Sequence, residues 1–468
     1  MAVMFPSPAK SSNAAAPLRP SLPQRAWRQI CSRWQWRASR SRQPRLTLVS
    51  QFFPPDFAAT GQLLDDLTAR LAAQGLQVQL LTGMPAYAYN CAEAKRIEFQ
   101  PNRCIRRTQA SRLWPLRIRG RAINGILFCL RICLRLLRYS RRGDLILYTT
   151  EPPYLPLLGW LLYRLTRTPY LVLLYDLYPD VLVELGVLSR DHWLTRLWRQ
   201  FNRWVFADAQ ELIVLSEPMA ERVRAHNPVA AGKLKVIPSW ADPQLIQPLA
   251  KADNWFAQKH KLADCFTVLY SGNQGRCHDL VTVLAAALLL RHDPDVLFLF
   301  IGKGPQHQRL LNLVHDWGLP NCRFLPYQDL EDLPFSLAAA DLALVTLSIE
   351  AEGLVAPSKL YGHLAAGTPI AAITPSNSYL RQLVETEACG RWFANGNAED
   401  LAAWIRELKQ NPDQARSLGQ AARALLERTA TPDLVCGQYL ELIEAHLPQF
   451  RRAPDPSAVA IGAPERCR

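Results

Sequence analysis

The chain has 468 residues, enough for two or three domains with their own cores, and its 49% hydrophobic and 20% charged content is that of a globular protein. No apolar run reaches the ~20 residues of a membrane span, the 11 cysteines form no CxxC pair, and neither a GxSxG elbow nor a GxxxxGK[ST] loop occurs, so transmembrane bundles, zinc modules, acyl hydrolases and P-loop enzymes have no support. The net charge of +14 is local: residues 1–44 hold eight Lys or Arg and residues 103–142 hold twelve Arg, both without an acid, which leaves the remainder acidic and points to a surface contact rather than to a general property of the fold; no nucleic-acid partner is expected.

Residues 1–44 are rich in Pro, Ser, Ala and Arg and lack an apolar core segment. They read as a disordered extension, or as residues upstream of the native start, in which Trp34 and Trp36 beside Arg28 and Arg37 could touch anionic lipid. Order begins at Leu46 with a strand over 46–50, a loop over 51–61 and a helix over 62–74 whose apolar side carries Leu63, Leu67 and Leu71. A strand over 78–82 completes a β-loop-α-β unit, the opening of a doubly wound parallel sheet. Within 103–142, which opens on Arg103 and closes on Arg142, Ile123, Ile126, Leu130, Leu134 and Leu137 recur at helical spacing among Arg131, Arg135 and Arg138. That pattern fits a domain helix with a cationic face, and also a helix lying on an anionic membrane. Cys129 and Cys133 share one face and are expected in the core.

Strands over 145–149, 170–175, 212–215 and 235–237 then alternate with helices over 152–165, 192–206 and 216–224. Residues 238–262 carry three prolines and no period, the signature of a link. A second alternation follows, with strands over 267–270, 296–301, 323–325, 342–347 and a last one ending at Ile373, and helices over 279–290, 306–317, 330–340 and 359–366. Helices over 398–410, 414–428 and 434–446 close the fold. The expected organisation is an extension over 1–44, a Rossmann-like domain over 45–237, the link over 238–262, a second Rossmann-like domain over 263–429, a C-terminal helix over 430–450 that crosses back to the first domain, and a loose tail over 451–468.

Open parallel sheets bind ligands at the C-terminal ends of their strands, and three loops of the second domain sit there. Ser271-Gly272-Asn273-Gln274-Gly275-Arg276 combines small residues that allow close approach with a guanidinium that grips a diphosphate. Gly302-Lys303-Gly304-Pro305 adds a cation. The stretch 346–373 runs from strand through loop into a helix whose N-terminus suits a phosphate, with Lys359 in the first turn, where a lysine is unfavourable unless an anion joins it. Glu352, in the same loop, would repel a diphosphate, so a sugar hydroxyl is its expected partner. In the first domain Asp176 follows a buried strand and either orients an incoming nucleophile or caps a turn. Asp293-Pro294-Asp295 precedes a strand and reads as a turn rather than a metal site.

Across roughly 46–446 the chain resembles the retaining, nucleotide-sugar-dependent glycosyltransferases of family 4. The resemblance is carried by FFPPDFAATG near the start, YDLYPDVLVELG from Tyr175, IPSWAD from Ile237, YSGNQGRCHDL from Tyr270, FIGKGP from Phe300 and EGLVAPSKLYGHLAAGTPI from Glu352. It looks most like the exopolysaccharide and O-antigen branch, similar to the colanic acid and N-acetylfucosamine transferases. What the resemblance implies is an α/β GT-B fold, two Rossmann-like domains facing a cleft. It also implies a donor site built from Gly61, Gly272, Asn273, Gly275, Arg276, Lys303, Tyr327, Gln328, Glu352, Gly353, Leu354, Val355, Ser358 and Lys359. Arg276 and Lys359 would hold the diphosphate, Leu354 and Val355 would offer it backbone amides, Tyr327 and Gln328 would frame the base, and Glu352 corresponds to the first glutamate of the family's EX7E signature. Two positions depart from the family: Gly362 stands where the second, ribose-binding glutamate belongs, and His278 where a lysine is usual.

The expected function is transfer of a sugar from a nucleotide-diphosphate donor to a lipid-linked or glycan acceptor. Glu352, Asp176, Arg276 and Lys359 would carry the chemistry, with no metal and no resident cofactor. The expected location is cytoplasmic, on the inner face of the membrane, held through 103–142. A sugar-nucleotide 2-epimerase on the same fold and a non-catalytic partner in a polysaccharide complex are the alternatives.

Overall fold

A computed structural model describes residues 44–56, 59–85, 94–109, 118–139, 143–447 and 450. The expected extension before residue 44 and the tail after 450 lie outside the described residues. The first half is an eight-stranded sheet of β1 (Arg45–Val49), β2 (Gln77–Gly83), β3 (Ile97–Gln100), β4 (Arg103–Thr108), β5 (Leu145–Thr149), β6 (Tyr170–Leu174), β7 (Leu212–Val214) and β8 (Leu234–Val236), in the order β3-β4-β2-β1-β5-β6-β7-β8. All neighbours are parallel except β3 and β4. Its helices are α1 (Ala59–Ala73), α2 (Ile118–Tyr139), α3 (Leu155–Thr166), α4 (Asp180–Glu184), α5 (Trp193–Asp208) and α6 (Glu217–His226). The central strands are apolar runs because helices cover both faces and every residue of β1, β5 and β6 is buried.

The hairpin of β3 and β4 was not expected, since RCIRRT has no strand composition. It changes the reading of the basic segment. Arg103 and Arg107 are buried within the sheet and paired with Asp65 and Glu98, so the first part of 103–142 is interior and cannot belong to a contact surface. Residues 110–117 and 140–142 of that segment lie outside the described residues.

The second half is a six-stranded, wholly parallel sheet of β9 (Phe266–Ser271), β10 (Val296–Ile301), β11 (Cys322–Leu325), β12 (Leu342–Thr346), β13 (Ile370–Ile373) and β14 (Gly390–Phe393), ordered β11-β10-β9-β12-β13-β14. Its helices are α7 (Trp255–Lys259), α8 (Val281–Leu289), α9 (His307–Asp316), α10 (Leu333–Ala338), α11 (Lys359–Ala365), α12 (Tyr379–Thr386), α13 (Ala398–Gln410) and α14 (Pro412–Thr429). The α12-β14 pair was missed. GRWF is a short edge strand buried only at its last residue, so it carries neither an apolar run nor alternation.

The link is shorter than its prolines suggest. The Asn254 side chain accepts from the amides of Phe256 and Ala257 to start α7, and both residues are buried in the second core, so the C-terminal half begins near residue 250 rather than 263. The last helix, α15 (Pro432–His446), puts Val435, Tyr439 and Ile443 into the core of the first half. There the Tyr439 ring meets Trp240 edge-on at 6.3 Å, and Trp240 Nε1 donates to Asp66 at 2.8 Å.

Candidate active site

The three loops of the second half meet at the C-terminal edge of β9, β10 and β12. The Gly272 amide donates to Ile301 O at 2.9 Å, Gln274 N to Lys303 O at 3.1 Å and Ser348 N to Cys277 O at 2.9 Å. Gly302 permits this approach: its φ is +117°, and a Cβ there would stand 2.3 Å from Gly272 O. The Tyr327 hydroxyl ties the next strand end to the same ledge, donating to Lys303 O at 2.9 Å. Arg276, Lys303 and Asn273 are exposed on this lip, with Gly275 between them, and Arg276 makes no hydrogen bond or ion pair among the described residues.

Behind the lip Lys359 opens α11. Its ammonium donates to the Tyr270 hydroxyl at 2.5 Å, lies 3.8 Å from the centre of that ring and 3.4 Å from His278 Nε2. Burial holds its pKa well below the ordinary lysine value. His278 Nδ1 is 2.6 Å from Thr346 O. A carbonyl only accepts, so Nδ1 carries the proton and Nε2 faces Lys359 as an acceptor. Burial first, then the Lys359 charge, pushes the His278 pKa down to about 3. The imidazole at the family's lysine position is therefore neutral, the charged side chains exposed on this lip are Arg276 and Lys303, and burial holds Lys359 behind them toward its neutral form. Ser358 precedes α11 in helical conformation without a side-chain cap bond.

Glu352, half-buried, lies in the loop that leads into α11. Both its carboxylate oxygens are out of water contact and neither completes a hydrogen bond. Burial raises its pKa, opposed by the Ser378 hydroxyl and the Tyr379 amide that face it. Gly353 has φ +70°, and a Cβ there would sit 3.2 Å from Pro218 O of α6. The Leu354 amide donates to Ala351 O at 3.1 Å, its carbonyl accepts from Leu177 N at 3.1 Å, and its side chain is buried in the core of the first half. Val355 pairs with Asp176 as an antiparallel bridge. Arg222 joins the two halves again, its guanidinium donating to Glu184 Oε1 at 3.0 Å and to Glu352 O at 3.4 Å. The Leu354 amide is thus occupied within its own loop, leaving Val355 as the amide of this pair without such a bond. At position 362 a Cβ would stand 3.0 Å from Leu337 Cδ1, against α10.

Facing these loops are the strand ends of the first half. Gly61, in the first turn of α1, lies where a Cβ would stand 3.1 Å from Phe53 Cα. Asp176 is half-buried at the end of β6, and burial pushes its carboxyl up to about 6. Sequence reasoning missed Glu151, at the end of the neighbouring β5. Its two carboxylate oxygens accept from Thr60 Oγ1 at 3.2 and 3.0 Å, and burial followed by the Asp176 charge pushes it up to about 8. The signal was present, because Glu151 also follows a buried strand at the ligand end of the sheet. Tyr327 and Gln328 stand just past β11 at the far side of the donor ledge. Among the described residues no group of three or more His, Cys, Asp or Glu is placed to hold a metal ion.

Two Rossmann-like halves with ligand loops facing each other across a cleft define the GT-B class. Residues 58–240 match the Glycosyl transferase 4-like domain and residues 251–425 match Glycosyl transferases group 1. A probable glycosyltransferase, WbjE of Pseudomonas aeruginosa, is 27% identical over 67% of this chain and 77% of its own length. The putative colanic acid biosynthesis glycosyl transferase WcaI of Escherichia coli K12 is 26% identical over 83% of this chain and 97% of its own. Among solved structures, sucrose-phosphate synthase of Thermosynechococcus elongatus superposes with a TM-score of 0.70 at 22% identity, covering 86% of this chain and 99% of that one. HepE of Anabaena, in complex with UDP-glucose, superposes with 0.64 at 16% identity, covering 86% and 99%. The chain belongs to the group 1, family 4-like glycosyltransferases.

Proposed function

We propose that this glycosyltransferase moves a sugar, with retention of configuration, from a nucleotide-diphosphate donor to a hydroxyl of a lipid-linked or glycan acceptor in cell-surface polysaccharide synthesis. The observation that carries the reading is a pair at the cleft, seven residues apart behind a lip bearing Arg276: Lys359, whose ammonium meets no acid among the described residues, and Glu352, whose carboxylate oxygens are shielded from water. A diphosphate restores the charge of Lys359 and is gripped by Arg276, while hydroxyls of the donor sugar satisfy Glu352. These groups stabilise the departing diphosphate through preorganised charge, which needs no metal. In the transfer the donor C1–O bond breaks with its electron pair going to the diphosphate, the acceptor oxygen bonds to C1, and its proton leaves to a basic oxygen in the cleft. The names of WcaI and WbjE support the polysaccharide setting, and the UDP-glucose complex of HepE supports the donor class.

Peripheral attachment to the inner face of the membrane is part of the proposal. It rests on α2, whose Ile126, Leu130, Leu134 and Leu137 are exposed, on α3, which packs against α2 and exposes Leu165, and on α5, which packs against α3 and exposes Trp193. Among the described residues no helix is long and apolar enough to cross a membrane. A screen of UDP-, GDP- and dTDP-sugars with nucleotide release as readout tests the reading. Release that depends on added acceptor and survives EDTA is the expected result. Conversion of the sugar while still attached to its nucleotide, with no acceptor present, would show an epimerase instead.

A further inference from the structure

We infer that Glu151 is a positioning residue for the acceptor: with Asp176 it forms a paired-carboxyl site that receives adjacent hydroxyls of a neutral sugar. The inference rests on the transferase reading and adds a residue and a chemical preference to it. Glu151 and Asp176 follow the adjacent parallel strands β5 and β6, whose register pairs Thr149 with Leu173, so both leave the sheet at the same edge and level. Asp176 is also the residue that bridges to Val355 of the donor loop and whose charge reaches Cys277 beside Arg276. The pair therefore leaves the first sheet at the edge that meets the donor loop, which is the side proposed to receive the acceptor.

Glu151 is held from three directions. Thr60 Oγ1 of α1 donates to its carboxyl group, its amide donates to Thr149 Oγ1 at 3.3 Å, and its carbonyl accepts from Gln51 N at 2.9 Å. The ionisable groups that face it are Asp176 and Tyr175 from the end of β6, and no cation does so among the described residues. Burial raises both carboxyls and the Asp176 charge raises Glu151 further, so Glu151 keeps its proton to higher pH than Asp176. A carboxylate accepts from one hydroxyl while a carboxylic acid donates to the next, which is the complement of a sugar diol. An anionic group on the acceptor would be repelled at this point.

The full chain with carbon-13 in its glutamate carboxyls, titrated by NMR, tests the pair without any ligand, the Glu151 signal being assigned by its loss in Glu151→Gln. A midpoint near 8 that falls by about one pH unit in Asp176→Asn is expected, and a midpoint in the ordinary carboxylate range would overturn the pairing. With the donor selected by the nucleotide-sugar screen and methyl glycosides as soluble acceptors, Glu151→Ala should raise the acceptor KM about tenfold and leave the donor KM unchanged. Glu151→Gln, which keeps a donor group, should retain turnover at pH 7 and lose the alkaline fall in acceptor kcat/KM. An unchanged pH profile in Glu151→Gln, or an equal rise of both KM values in Glu151→Ala, would overturn the positioning role. A wild type silent with every donor would remove the transferase reading itself, and the NMR midpoint would then decide the pair alone.

Discussion

At the scale of single residues, the cleft is governed by charges that burial keeps from their ordinary state. Among the described residues the Lys359 ammonium has Tyr270 and His278 as its hydrogen-bond partners, and His278 is a neutral acceptor, so an anion is the missing partner. Arg276→Ala should lower kcat/KM for the donor by roughly a hundredfold, as loss of a transition-state charge contact does, and Lys359→Ala by as much or more. Arg276 is exposed, so thermal unfolding of that variant should match the wild type within about 0.5 kcal/mol. Glu151 makes a separate, pH-dependent prediction. Its folded pKa of about 8 lies above the ordinary 4.5, so the native state holds the proton more tightly than the unfolded chain does. That contribution is complete below pH 4.5 and is lost as pH rises toward 8, so the Tm of Glu151→Gln minus that of the wild type should increase across this window in differential scanning fluorimetry.

At the scale of elements, the loop from Ile349 to Ser358 belongs to both halves. Leu354 hydrogen-bonds Leu177 and buries its side chain in the first core, while the helix that follows belongs to the second. Leu354→Ala should cost about 2–5 kcal/mol and lower the urea midpoint, as deletion of a buried leucine does. The exposed face of α2 predicts a different outcome. Leu134 is 69% exposed, so Leu134→Asp together with Leu130→Asp should leave stability near that of the wild type and reduce flotation with anionic liposomes about tenfold. Flotation unchanged by the substitutions would move membrane attachment away from this helix. The elements were legible where their composition was plain: β1, β5, β6, β10 and β12 are buried apolar runs, and each was expected within a residue or two. β4 was not, because three of its six residues are arginines whose partners Asp65 and Glu98 come from other elements. α7 was not, because five residues are too few to show a period.

At the scale of the whole molecule, α15 returns the chain to the half in which it began. Tyr439 against Trp240, Trp240 on Asp66, and Arg70 paired with Asp66, Asp242 and Asp433 join α1, the link and α15 at one point. Tyr439 is 2% exposed, so Tyr439→Ala should cost about 3–5 kcal/mol, read as an early loss of the first-half transition in calorimetry.

The sequence by itself determined the two sheets of alternating strands and helices, without the β3–β4 hairpin, α7 and the α12–β14 pair, and the three glycine-bearing loops, because apolar runs, helix stops and strand-end glycines are local signals. It also placed Glu352, Lys359, Arg276 and Asp176 at ligand ends of strands. Only the tertiary structure decided what those groups meet. It spent the Leu354 amide on Ala351, neutralised His278 between Thr346 and Lys359, and set Glu151 beside Asp176, contacts between residues far apart in the chain. It likewise withdrew Arg103 and Arg107 from the surface. A pKa and a hydrogen-bond partner depend on burial and on neighbours across the fold, and neither is written in the local pattern that fixes a strand or a helix.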